Sequence, residues 1–130
     1  MTQDIEPHVH TLIERMTSAL ARRDIDGVMA TYEPGAIVAF EPGAPKSGDA
    51  TLREEFARLL ATDPRFAFSG HEIIVSGDLA LHLMPWTMNG TAPDGSAIEQ
   101  EGLSVAVLRR QPDGRWLMAI DNPHGQRLLR

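Results

Sequence analysis

Apolar residues recur at three- and four-residue intervals from Pro7 to Arg22: Val9, Leu12, Ile13, Met16 and Leu20, with Glu14, Arg15 and Arg22 outside the stripe. That spacing puts one apolar face on a helix of about four turns, with Pro7 tolerated in its first turn. Asp24 reads as the N-cap of a second, short helix that carries Val28, Met29 and Tyr32 on its buried side and stops at Pro34-Gly35. Ala36–Phe40 is β-branched and apolar, hence a strand, and EPGAPKSG reads as a loop dense in glycine and proline. Asp49 reads as the cap of a third helix, with Leu52, Phe56, Leu59 and Leu60 at helical intervals and an end near Asp63-Pro64.

Beyond Pro64 the period changes. FAFSGHEIIVSGD, LALHLMPWTMNGT, AIEQEGLSVAVLRR and RWLMAIDN are strand-like, separated by SGD, APDG and QPDG. Those separators have hairpin chemistry, because glycine supplies the positive φ that tight turns require. The last three strands therefore form an antiparallel meander. Helix, helix, strand, helix and four strands is an α+β order rather than an alternating α/β one. A curved sheet with one long helix across its concave face leaves a wedge-shaped hollow, and pockets form in such mouths. One layer of helices covers one sheet face, so the other is the natural place for a dimer contact.

The 130 residues fit a single domain, 1–130, and no internal repeat is present. Twelve Lys and Arg against eighteen Asp and Glu give a net charge of −6 without a basic cluster, which argues against nucleic acid or an anionic membrane as a partner. The absence of cysteine excludes disulfides, thiolate metal sites and a cysteine nucleophile. MTQDIEPHVH has no apolar core of a secretory signal, and no apolar run approaches the ~20 residues of a membrane span, so a cytoplasmic location is expected.

ALARRDIDGVMATYEPGAIVAFEPGAPKSG, GDLALHL and VLRRQPDGRWLMAIDNPHG resemble the nuclear transport factor 2-like superfamily, in particular its SnoaL-like, ketosteroid-isomerase-like branch. The resemblance rests on the D-x-D-G start of a helix (Asp24–Gly27), the P-x-S-G loop (Pro45–Gly48) and the terminal D-G-R-W hairpin (Asp113–Trp116). It implies a cone-shaped curved mixed or antiparallel sheet wrapped around a long N-terminal helix with two further helices, a homodimer, and an apolar pocket. The superfamily includes isomerases, dehydratases, epoxide hydrolases, cyclases and non-catalytic binders, so the fold does not name a reaction. A ketosteroid isomerase needs a carboxylate base and an oxyanion hole built from a tyrosine and a protonated aspartic acid. Ungapped matching through D-x-D-G puts the family's helix tyrosine on Met16, its base on Phe40 and its second acid near Ser104. None of the three has the required chemistry, which disfavours classical steroid isomerisation.

Candidate chemistry comes from the strands. His82, Met84, Trp86 and Met88 alternate onto one face of LALHLMPWTM. They are taken as the concave face, because large adaptable side chains suit an apolar pocket. Desolvation there would keep the His82 imidazole neutral and usable as a base. Asp121 is the carboxylate of the WLMAIDN strand and shares a face with Leu117 and Ala119; related dehydratases and hydrolases carry an acid or amide near this point. Asn122 reads instead as an Asx turn before Pro123. His124, in the following loop, is placed to cover the mouth and pair with Asp121. Histidines and acids elsewhere lack a ligand spacing, so no metal and no cofactor are expected. The expected lining is Met16, Tyr32, Phe40, Phe56, Met84, Trp86 and Ser104. Asp121, His82 and His124 are the candidate catalytic groups for a cofactor-free isomerase, lyase or hydrolase acting on a small apolar molecule. The other reading is a non-catalytic ligand-binding or dimerisation module.

Overall fold

A computed structural model describes residues 5–129. The order is α1 (Ile5–Ala21), α2 (Ile25–Met29), β1 (Tyr32–Glu41), β2 (Ala44–Ser47), α3 (Asp49–Leu60), β3 (Arg65–Phe68), β4 (Glu72–Ser76), β5 (Leu79–Thr91), β6 (Ala97–Arg110) and β7 (Trp116–Asn122), with a closing 3₁₀ turn at Gly125–Leu129. Three helices and a mixed, open, curved sheet of seven strands form a cone. The sheet runs β2-β1-β7-β6-β5-β3, and β4 also pairs with β5. β1 and β7 are parallel, and every other pair is antiparallel.

The stripe on α1 does what its spacing dictates: Val9, Leu12, Ile13, Met16, Ala19 and Leu20 are buried against the sheet. Leu108 and Met118, both without exposed surface, stand across from them. α1 ends on Arg23 in the left-handed region (φ 60), and the turn after α3 holds Asp63 there too (φ 50). These two strained non-glycine residues bond each other, Arg23 Nη2 donating to Asp63 Oδ1 at 2.5 Å, so the two helix ends are tied together. Asp24 caps α2 by accepting from the Gly27 amide at 3.0 Å. A Cβ at Gly27 would fall 2.5 Å from that carboxylate, so the D-x-D-G glycine is a steric requirement of the cap.

Four local readings are corrected. Tyr32 is the first residue of β1, not part of α2; the helix has already ended at Met29, where Ala30 turns the chain. Pro34-Gly35 therefore bends a strand, at a register shift between Tyr32 and Ile37, with Gly35 at φ 80. EPGAPKSG is a hairpin into the edge strand β2, where Pro45 is tolerated because an edge leaves one side unpaired. The α3 N-cap is Gly48, and Asp49 makes no capping bond but sits in the first turn. Finally, the segment after Pro64 is two strands. β3 pairs with Trp86–Asn89 and β4 with Leu79–Leu83 along the same edge of β5. The break falls where Gly70 takes φ 82 and the Ser69 amide donates to the Pro85 carbonyl at 3.3 Å.

Candidate active site

A cavity of about 380 Å³ opens between the second half of α1, α3 and the concave face of the sheet. Its walls are apolar: Met16 and Leu20 from α1, Phe56 and Leu59 from α3, Phe66 and Phe68 from β3, and Met84, Trp86 and Met88 from β5. Phe56 holds the aromatic wall together, 4.9 Å from Phe40 edge to face and 5.7 Å from Tyr32 between ring centroids. Glu41, Glu55, Arg58 and Gln100 supply the polar part of the lining.

Asp121 reaches this cavity through a bulge. In β7, Met118 pairs with Leu108 and Ile120 with Val107, which leaves Ala119 as an extra residue. Met118 faces the core, and strict alternation would turn Asp121 to the opposite face. The extra residue restores the inward direction, so Asp121 pairs with Ala106 on the concave side and is only 8% exposed. There the Tyr32 hydroxyl donates to Asp121 Oδ2 at 2.6 Å. Burial raises the Asp121 carboxyl above its ordinary range, while the Tyr32 bond and the nearby His124 pull the other way. Burial, and then the Asp121 charge and hydrogen bond, raise the Tyr32 phenol well above its usual value, so it remains a neutral donor.

His124 also lines the cavity, beside Trp86 at 6.3 Å between rings. Its Nε2 lies 2.8 Å from the Phe40 carbonyl oxygen, which can only accept, so Nε2 carries the proton. In the neutral ring Nδ1 is then the basic nitrogen. The expected Asp121–His124 pairing is thus replaced by two separate bonds, Asp121 to Tyr32 and His124 to Phe40. Asn122 Oδ1 accepts the His124 amide at 3.0 Å, the Asx turn read from the sequence. The Trp86 indole donates to the Pro123 carbonyl at 2.9 Å and lies across Gly102, where a Cβ would be 2.8 Å from both the ring and that carbonyl oxygen. Together these bonds seat the segment after β7 beside Asp121.

Every sequence-selected residue except His82 lines this cavity: Asp121, His124, Tyr32 and Ser104, with Met16, Phe40, Phe56, Met84 and Trp86 around them. His82 shares the concave face with Met84 and Trp86 but lies in another surrounding. It is 1% exposed and its Nε2 is 3.3 Å from His71 Nδ1. Burial first, then the His71 and His10 charges, hold it down to about 4. It is neutral at physiological pH but does not face the Asp121 cavity. Sequence reading overlooked Phe66, Phe68 and Leu59 as lining. The available signal was parity, since Phe66 and Phe68 alternate in step with Met88 and Trp86 once β3 is paired. Among the described residues no group of three or more acids and histidines is arranged to hold a metal ion.

The profile of the SnoaL-like domain family matches residues 13–118. The chain belongs to the SnoaL-like domain family. No protein of curated function matches it in sequence. Solved structures share its fold. A candidate dehydratase of the NTF2-like family from Streptomyces avermitilis has a TM-score of 0.77 at 20% identity, covering 93% of this chain and 95% of that one. A ketosteroid isomerase-like protein from Erwinia carotovora atroseptica has 0.73 at 22%, covering 87% and 89%. A candidate aromatic ring hydroxylase from Novosphingobium aromaticivorans has 0.77 at 22%, covering 91% and 87%. At these identities the likeness is one of SnoaL-like fold, and their differing names fit a scaffold that hosts several chemistries. No helix among the described residues is long and apolar enough to cross a membrane.

Proposed function

We propose that this SnoaL-like protein binds a small, largely apolar organic molecule in the cavity and acts on it by cofactor-free acid–base chemistry centred on Asp121. The observation that carries this reading is the buried Tyr32–Asp121 hydrogen bond in a largely apolar cavity. Burial raises the proton affinity of the carboxylate, which makes it a stronger base toward a substrate C–H or O–H than a solvated one. Tyr32 occupies Oδ2 and fixes the plane of the group, leaving Oδ1 for the reacting atom. With Nε2 of His124 held by the Phe40 carbonyl, its Nδ1 is the second proton-handling atom. Methionines and aromatic rings in the walls favour an unsaturated or aromatic body over a polar one. The reaction class is an isomerisation, dehydration, cyclisation or hydrolysis.

The test has two steps. Native mass spectrometry of gently purified protein, followed by release and identification of the bound molecule, is expected to give a stoichiometric organic adduct. Asp121→Asn is then expected to retain the fold and the adduct but to lose turnover by at least about 100-fold, the usual scale of a general base. Absence of any adduct, together with no change in Trp86 fluorescence across a panel of apolar aromatic probes, would overturn the binding reading.

One observation favours the non-catalytic alternative: Tyr32 and His124 already spend a hydrogen bond within the protein. Ligand binding with no turnover in either protein would decide for that module, whereas unchanged turnover in Asp121→Asn would remove Asp121 from the mechanism. We further infer a homodimer through the convex sheet face, supported by Ile37, Ile74 and Ile120, which are 42%, 52% and 46% exposed there.

A further inference from the structure

Away from the cavity, three imidazoles from three parts of the chain meet at the other end of α1. His10 comes from α1, His71 from the turn before β4 and His82 from the middle of β5. The His10 and His71 rings lie 4.3 Å apart at 35°, and His71 Nδ1 is 3.3 Å from His82 Nε2. The chain of rings runs from a half-buried helix position through an exposed turn to a buried strand position. We propose that these histidines form an acid-sensitive latch, which holds the first half of α1 on the sheet at neutral pH and releases it when the His71–His82 pair takes up a second proton.

The reasoning begins with the hydrogen bond. A bond between two ring nitrogens needs one donor and one acceptor, so one of the facing nitrogens must be unprotonated. The neutral pair satisfies this, and so does the pair carrying one extra proton, where the bond becomes charge-assisted. The doubly protonated pair cannot: two N–H groups then face each other at 3.3 Å, with the third imidazole ring 4.3 Å from that of His71. The two protons therefore bind in separated steps that belong to the pair.

The surroundings offer little to neutralise the second charge. Ile73 stands opposite His82 on β4 and Ala106 on β6, both without charge. Glu72 is in register with Leu83 and so on the other face. On α1, Glu14 lies 4.0 Å from His10 but serves that ring alone. Asp121 is in the same cross-strand row, one strand beyond Ala106, and is engaged by Tyr32. Burial and the two neighbouring histidines accordingly hold His82 far below an ordinary imidazole. Separation of α1 from the turn and β5 is the relief open to the doubly charged pair. Val9, Leu12 and Ile13 lie on this part of α1, and Met16 and Leu20 of the same helix form the cavity wall, so the latch links acidity to the shape of the cavity.

Histidine side-chain NMR and backbone hydrogen exchange on the full chain, from pH 7.5 to 3, test this directly. In the wild type the His71–His82 pair is expected to titrate in two steps. Amides of residues 8–13 should lose at least tenfold in protection with the second step, after correction for intrinsic exchange, while β6 and β7 keep theirs. His82→Gln keeps an amide facing His71 but removes the second proton, and α1 should then stay protected to pH 3. Should that variant fail to fold, His71→Gln at an exposed position replaces it. His82 should then titrate in a single step, and the α1 transition should move by at least half a pH unit. Independent one-step titrations in the wild type would overturn the latch. So would α1 protection that is flat with pH, or that changes identically in the variants.

Discussion

Tyr32 and Asp121 are 89 positions apart in the chain and 2.6 Å apart in space. At the scale of single residues this bond explains why a carboxylate survives in an apolar cavity: it is satisfied by a neutral donor. Tyr32→Phe removes the donor and leaves a buried acceptor unpaired, at a cost of about 1–3 kcal/mol. The cost should depend on pH. With the bond gone, a cause that lowers the Asp121 proton affinity is lost, so its folded-state value rises further above the unfolded one. A carboxyl raised on folding contributes its stability below the unfolded range and loses it as pH climbs through the folded value. The Tyr32→Phe deficit, read from urea unfolding, should therefore shrink below pH 4 and be largest near neutrality. A deficit that grows in acid would refute this account of the pair.

The elements place those residues by departures from regularity. A one-residue bulge at Ala119 turns Asp121 inward, and the bend at Pro34-Gly35 falls at the register shift beyond which Val38 stands opposite Asp121. The cross-strand pair Trp86–Gly102 is the third such device, because the missing side chain on β6 is the space in which the indole lies. Gly102→Ala should displace Trp86, break its bond to Pro123 and loosen the segment that carries His124. A loss of roughly 1–3 kcal/mol is expected from overpacking. A change in Trp86 emission should accompany it, and retained stability with unchanged emission would show that the indole is not held this way. Alternation predicted the faces of β5 and β6 well, since their pairing runs without a shift from Leu79–Arg109 to Thr91–Ala97. It failed to predict the inward turn of Asp121, because a bulge is set by partner strands and leaves no mark in the period of one strand.

At the scale of the whole molecule, the cone buries one sheet face under α1 and leaves apolar side chains exposed on the other. Ile37 and Ile120, paired across β1 and β7, stand together on that open face. If it is the dimer contact proposed above, Ile120→Lys should shift the mass measured by light scattering from dimer to monomer while ligand binding per chain persists. A dimer unmoved by that substitution would assign the contact elsewhere. The two functional regions lie at different places along α1: Met16 and Leu20 at the cavity, His10 at the histidine cluster. One helix thus spans both.

The sequence by itself determined the helix stripe, the turn glycines, the α+β order, the concave set on β5 and most of the apolar lining, because these follow from local periodicity and residue chemistry. It also contained both Tyr32 and Asp121, but not the bond between them. Tertiary structure decided that Tyr32 starts a strand, that His124 serves Phe40 and that His82 faces His71 rather than the cavity. Each of those outcomes depends on which distant backbone lies alongside, through register shifts and parallel pairing that a linear pattern does not encode.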